Sequence, residues 1–271
     1  MRIQHNIMAM NANRNLNFNN TQLGKNLEKL SSGYRINRAG DDAAGLAISE
    51  KMRADVAIYD QSIRNANDGI ALVQTAEGAM TEIHSMLNRM ETLATQAANG
   101  TYDETDDVAG AIDKEVTELA KEITRITTTT KFNGKTLFGG DDVNIQLGEG
   151  DDNTVTIATT GYTVNSLAMA SSTGFTSNDG AKTAIETIKD DIKTLSGWRA
   201  ELGALQNRFE HTVNNLGVTM ENLQNSESTI RDTNVADEMM KYTKNNILIQ
   251  SAQAMLAQAN QVPQGVLQLM Q

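Results

Sequence analysis

The residues of this chain that could do chemistry are few and poorly placed for it. Its three histidines, His5, His84 and His211, fall on three different predicted helices. Glu82-Ile83-His84 lacks the second histidine, four residues from the first with a glutamate between, that a helical zinc site requires. There is no G-x-S-x-G nucleophile turn and no phosphate loop of the Gly-Lys-Ser/Thr type. The chain has no cysteine, which excludes thiolate nucleophiles, thiolate zinc sites and a disulfide scaffold. The acidic pairs Asp106-Asp107, Asp141-Asp142 and Asp151-Asp152 lack the spaced oxygens of a calcium loop and read as solvated turns. The expectation is a protein that is not an enzyme and carries no cofactor or metal.

The densest charge lies in residues 31–49, SSGYRINRAGDDAAGLAIS. Gly40 and Gly45 near a helix start, with Arg35 and Arg38 beside them, could hold an anion. They could equally form a joint. Arg38 can pair with Asp41 or Asp42, either aspartate can cap the next helix, and Gly33 and Gly40 let the chain change direction. No phosphate-cradle spacing is present, so the joint is favoured. It predicts a positive φ at Gly33 or Gly40. Gly45 falls inside the next helix, where it would admit a neighbouring chain.

The elements that position this stretch are long helices. A single proline, Pro263, leaves the chain free to run helical almost throughout. Aromatics are only 4% of residues, which favours thin helix-on-helix packing by Ile, Leu, Met and Ala over a thick core. The first helix is predicted over about 4–31, with Leu16, Leu23 and Leu30 seven apart and Leu27 between. A second runs from about 44 to 98. Its four-three spacing slips near Glu77-Gly78, where a step of three replaces four. At 1.5 Å per residue it would be roughly 80 Å long, the length of a rod. A shorter helix follows the break at Asn99-Gly100, with Ile112, Val116, Leu119, Ile123 and Ile126 on one stripe. Val143, Ile145 and Leu147 alternate, as do Val155 and Ile157, which predicts a β-hairpin turning at 148–153. A fourth helix over about 181–225 has a three-three step at Leu195 to Trp198 and should pair antiparallel with the second.

The last helix, about 235–270, carries Leu248, Ala252, Met255 and Ala259, continued by Val262, Val266 and Leu269, in strict four-three spacing. From Asn245 to Gln271 it has no charged residue. A surface helix needs a charged face, so this one should be surrounded by other chains. Net charge is −11, concentrated in the middle of the chain, which argues against nucleic acid. No run approaches 18 apolar residues, so no membrane span is expected, and no secretory signal is visible.

Several long motifs carry a family resemblance. LEKLSSGYRINRAGDDAAGLAISEKMRA and NANDGIALVQTAEGAMTEIHSML resemble the N-terminal signature of bacterial flagellin. STIRDTNVADEMMKYTKNNILIQSAQAMLAQANQVPQGVLQLMQ resembles its C-terminus. The match covers about 1–135 and 181–271. The hook–filament junction protein, which shares these terminal motifs, is the alternative. The metallopeptidase-like outer domain of some flagellins has no counterpart here.

The resemblance implies a mainly α fold in two layers. Long antiparallel heptad helices with a small β-hairpin form a rod, D1, and the termini form a two-helix coiled coil, D0. Residues 1–43 would be the D0 helix and spoke, 44–130 the N-terminal D1 helices, 131–180 the hairpin and loops, 181–230 the C-terminal D1 helix and 231–271 the C-terminal D0 helix. The spoke would hold Gly33, Arg35, Arg38, Gly40, Asp41 and Asp42. The polymer seam would use Leu16, Leu23, Leu27 and Leu30 against the apolar positions of the last helix. The resemblance further implies self-assembly into an extracellular flagellar filament for swimming and export by the flagellar type III apparatus without a signal peptide. Its implied partners are an export chaperone at the C-terminus and the filament cap and hook-junction proteins. It also implies a site for the host flagellin-sensing toll-like receptor at LNRMETLATQ, with Arg89, Leu93 and Glu115 as contacts and Leu87 and Gln96 beside them.

Overall fold

The computed structural model describes residues 6–99, 107–162 and 178–269. The chain is mainly helical. In order come α1 (Ile7–Ser32), α2 (Ala43–Ala97), α3 (Asp107–Thr129), the strands β1 (Lys131–Phe132), β2 (Lys135–Thr136), β3 (Val143–Gln146) and β4 (Thr154–Ile157), then α4 (Asn178–Arg231) and α5 (Val235–Leu269). Two compact units form. One takes residues 1–56 and 221–271 and the other takes 57–220, so the division falls inside α2 and α4.

In the unit of residues 57–220, α2, α3 and α4 pack around one apolar core with the β3–β4 hairpin. Lys189 meets Glu91 at 4.0 Å and Arg199 meets Glu77 at 3.6 Å, so α2 and α4 run antiparallel. The predicted hairpin is present, with Val143 opposite Ile157 and Ile145 opposite Val155. Asn65 Nδ2 donates to the Gln146 carbonyl at 2.9 Å and ties the hairpin to α2. A second hairpin, β1–β2, turns on Asn133 and Gly134, both with left-handed φ of 48° and 82°. The sequence reading placed no strand there. Asn-Gly between two short runs is the signal that marks such a two-residue turn.

The helical seams differ from the apolar pattern in one consistent way. The buried face of α2 runs without a slip through Ser62, Ala66, Gly69, Val73, Ala76 and Met80. The step at Glu77-Gly78 disappears because Ser62 and Gly69, not Ile63 and Ile70, occupy the seam. A Cβ at Gly69 would lie 3.2 Å from the Phe209 ring, so the glycine makes room for an aromatic side chain from α4. The three-three step in α4 disappears for the same reason. Ala184 and Asp191 hold the seam positions that Ile185 and Ile192 suggested, and heptad spacing then runs unbroken from Ala184 through Ile188, Asp191, Leu195, Trp198 and Leu202.

In the unit of residues 1–56 and 221–271, α1 and α5 pair antiparallel, with Asn6 near Ala259 and Asn26 near Glu238. The face of α1 toward α5 carries Ala9, Ala12, Leu16, Asn19, Leu23, Asn26 and Leu30, again at four-three spacing. The facing residues of α5 are Glu238, Tyr242, Asn245, Ile249, Ala252, Leu256 and Ala259. Three of the expected polymer-seam residues stand outside the α1–α5 contact of the single chain. Leu27 is 57% exposed, Leu248 40% and Met255 65%. Each lies one position off the observed seam. The side chains of Val262, Val266 and Leu269 lie outside the described residues.

Candidate assembly interface

The joint starts where α1 stops. Gly33 takes φ 77°, and its N–H donates to the Lys29 carbonyl at 2.9 Å, closing the helix with a left-handed residue that only glycine adopts cheaply. The chain then leaves extended and meets the segment between α4 and α5. Tyr34 bridges Asp232 antiparallel, Arg35 N donates to the Arg231 carbonyl at 2.7 Å, and Thr233 N donates to the Gly33 carbonyl at 2.9 Å. The Arg35 guanidinium donates to the Ile230 carbonyl. Arg231 completes this clasp. It pairs with Glu50 at 2.5 Å and lies 4.9 Å over the Tyr34 ring. The hydrogen bond from Arg231 holds the Glu50 carboxyl below its usual range.

The aspartates close the turn. Asp41 Oδ2 accepts from the backbone N–H of Asn37 at 3.2 Å and of Arg38 at 3.1 Å, which holds its carboxyl below the ordinary value. Asp42 Oδ1 accepts from Gly45 N at 2.9 Å and caps α2. These carboxylates occupy the N–H groups of Asn37, Arg38 and Gly45, which an anion held at this turn would otherwise use. The Arg38 side chain pairs with Glu28 at 2.9 Å, not with either aspartate. Gly33 meets the positive-φ expectation and Gly40 does not, with an ordinary φ and open space around it. Gly45 is corrected. It admits its own chain, since an added Cβ would come within 2.9 Å of Ile36 Cδ1 and collide with the Asp42 carboxylate. Ile36 is 1% exposed.

The α1–α5 pair is tied by amides. Asn6 Oδ1 accepts from Ala9 N at 3.1 Å and caps α1, while its Nδ2 donates to the Ala259 carbonyl at 2.7 Å. That carbonyl has no helical partner because Pro263, four residues on, has no N–H. Nearer the joint, Asn26 is 6% exposed and Glu238 3%. With the amide oriented to satisfy both its ends, Asn26 donates to the Gln22 carbonyl and to Glu238 Oε1 at 2.9 Å, and accepts from Asn245 Nδ2 at 3.0 Å. Lys241 pairs with Glu238 Oε2 at 3.0 Å.

The expected receptor stretch lies on α2 facing α3. Arg89 pairs with Glu115 at 2.9 Å, and both side chains are half exposed. Gln96 is exposed. Leu93, expected as a contact, is 2% exposed, and Leu87 is fully buried. Both are core residues, because the seam of α2 is shared by α3 and α4. Among the described residues no group of three or more His, Cys, Asp or Glu could hold a metal ion, and no helix is long and apolar enough to cross a membrane.

Comparison with known proteins agrees with this arrangement. The model of the bacterial flagellin N-terminal helical region matches residues 3–142, and that of the C-terminal helical region matches 185–270. The chain belongs to the bacterial flagellin family. Flagellin of Halalkalibacterium halodurans is 50% identical over the whole of both chains. Flagellin of Bacillus subtilis is 44% identical, again over both whole lengths. The crystal structure of Bacillus cereus flagellin matches 56% of this chain and 88% of its own, at TM-score 0.50 and 32% identity. A putative flagellar hook-associated protein from Vibrio parahaemolyticus covers 71% of the chain at TM-score 0.59, but at 13% identity it speaks for the fold alone. As a flagellin the chain is a structural protein of the flagellar filament. Within stretch 31–49 the charges of Asp41 and Asp42 serve the turn and the cap of α2, Arg35 serves the clasp and Arg38 pairs with Glu28.

Proposed function

We propose that this flagellin polymerises through α1 and α5 into the helical filament that drives swimming. On this reading residues 1–43 and 231–271 form D0, and 44–230 form D1. One observation carries this reading. The paired helices keep large apolar side chains in solvent on faces their partner does not reach. On α1 these include Met8, Met10 and Phe18, each more than 60% exposed. On α5 they include Ile247 and Met255, on a segment with no charge from Asn245 onward. Apolar side chains gathered on a charge-free face mark a surface for a partner, here a second copy. Ordering these helices costs about 2–5 kcal/mol, which a large obligate interface offsets.

Hydrogen exchange on monomer and filament tests this. Residues 248–269 should exchange fast in the monomer and slowly in the filament, and equal protection in both states would sink it. Export unfolded through the flagellar type III apparatus, a chaperone on the C-terminal segment, the cap and hook-junction partners and an extracellular location follow from the family resemblance. Recognition by the host toll-like receptor rests on Arg89 and Glu115, which form an exposed pair across α2 and α3. Leu93 and Leu87 support that surface from beneath.

A further inference from the structure

The α5 helix has two apolar sides that share one spine. Glu238, Asn245, Ala252 and Ala259 form the spine. On one side of it stand Tyr242, Ile249 and Leu256, which α1 covers. On the other stand Lys241, Leu248 and Met255, which remain outward at 40% exposure for Leu248 and 65% for Met255. Ile249 and Leu256 offer α1 about the same apolar area as Leu248 and Met255, so hydrophobic burial gives little preference between the two sides.

The polar layer near the joint does discriminate. Glu238 is 3% exposed and is bound from two directions. A neutral amide, Asn26, reaches Oε1 from α1, and the Lys241 ammonium reaches Oε2 from the outward side. The Lys241 side chain is 63% exposed. Turning α5 so that its Leu248 side met α1 would press that ammonium between the helices and strip its water, while the one carboxylate of α1, Glu28, is already paired with Arg38. We propose that the Asn26–Glu238–Lys241 layer selects the side of α5 that α1 covers, and so reserves the Leu248–Met255 side for a second copy of the chain. The identity of that occupant rests on the filament reading above. The choice of side does not.

Asn26 reaches both Glu238 and Asn245, which sets it level with Tyr242. Fourteen residues along α1, Ala12 is then level with Leu256. The chain has no cysteine, so disulfide trapping has no background. Ala12→Cys combined with Leu256→Cys reports the covered side, and Ala12→Cys combined with Met255→Cys reports the other. Under an oxidant in the full chain, the first pair should cross-link about tenfold more than the second, the discrimination that a buried ammonium imposes. Adding Glu238→Leu with Lys241→Leu should bring the two yields together and disturb filament growth, while Lys241→Arg should keep the original ratio. An unchanged ratio in the double leucine variant would overturn the proposal. Loss of both cross-links there would also overturn it, since the layer would then supply the pairing and not its side. If the unsubstituted chain keeps the ratio but never polymerises, the filament reading falls and the selection stands.

Discussion

Asp191 occupies a core position of α4 at 5% exposure, and its Oδ2 finds no hydrogen-bond donor. Burial, and secondarily the neighbouring Asp190 charge, pushes its carboxyl from 3.8 up to about 6. A raised carboxyl binds its proton more tightly in the folded chain than in the unfolded one. Its favourable contribution is therefore complete below about pH 4 and lost as pH rises through about 6. At 1.36 kcal/mol per pKa unit the cost at neutral pH is about 3 kcal/mol. Asp191→Asn removes the charge at constant shape but keeps a buried polar head. A gain of about 1–3 kcal/mol at pH 7.5 and close to none at pH 4 is expected. For a unit of this size that is a rise in melting temperature of roughly 3–10 °C. Thermal unfolding of the monomer followed by circular dichroism across pH 4–8 measures it. An equal effect at both ends of the range would refute the electrostatic argument, and a loss at neutral pH would mean that Asp191 has a partner.

Gly33→Val should strain a left-handed residue by about 1–2 kcal/mol and loosen the clasp, seen as faster amide exchange at Arg35 and Thr233. Gly40→Val should leave both amides as they are, and the reverse result would relocate the turn. Gly45→Ala should cost about 1–3 kcal/mol by overpacking against Ile36 and Asp42, and an unchanged unfolding midpoint would show that the capping aspartate simply swings aside. Leu93→Ala should cost about 2–5 kcal/mol of stability, whereas Arg89→Ala should cost less than about 1 kcal/mol and lower receptor affinity. Normal stability in the Leu93 variant would return that residue to the surface.

Helix existence, the β3–β4 hairpin and the place of the joint were legible because each has a local cause: four-three spacing, alternation around a turn, and glycines beside capping aspartates. The seams were harder to read. Apolar spacing favours the bulky residue of any adjacent pair, so Ile63, Ile70 and Ile192 drew the seam away from Ser62, Gly69 and Asp191. What puts Gly69 inside is Phe209, which belongs to another helix and leaves no mark within the α2 sequence. The clasp was invisible for the same reason. Its donors and acceptors come from opposite ends of the chain, and nothing near Arg35 announces Ile230. On α5 the stripe of Leu248 and Met255 is real, but it faces outward, a distinction that spacing within one helix does not carry.

The clasp also imposes an order of events. Arg35 and Ile230 are 195 positions apart, and Glu50 and Arg231 are 181. Contacts of that separation are slow to find from an open chain. Folding of residues 57–220 shortens the loop that must close, so the clasp and the α1–α5 pair are expected to close last. Both need each end of the chain at once. A chain cut before Val235 can still build its central helices, yet α1 then has nothing to pair with and the joint has no second strand. The paired α1–α5 surface is thus assembled only from a chain whose two ends have met.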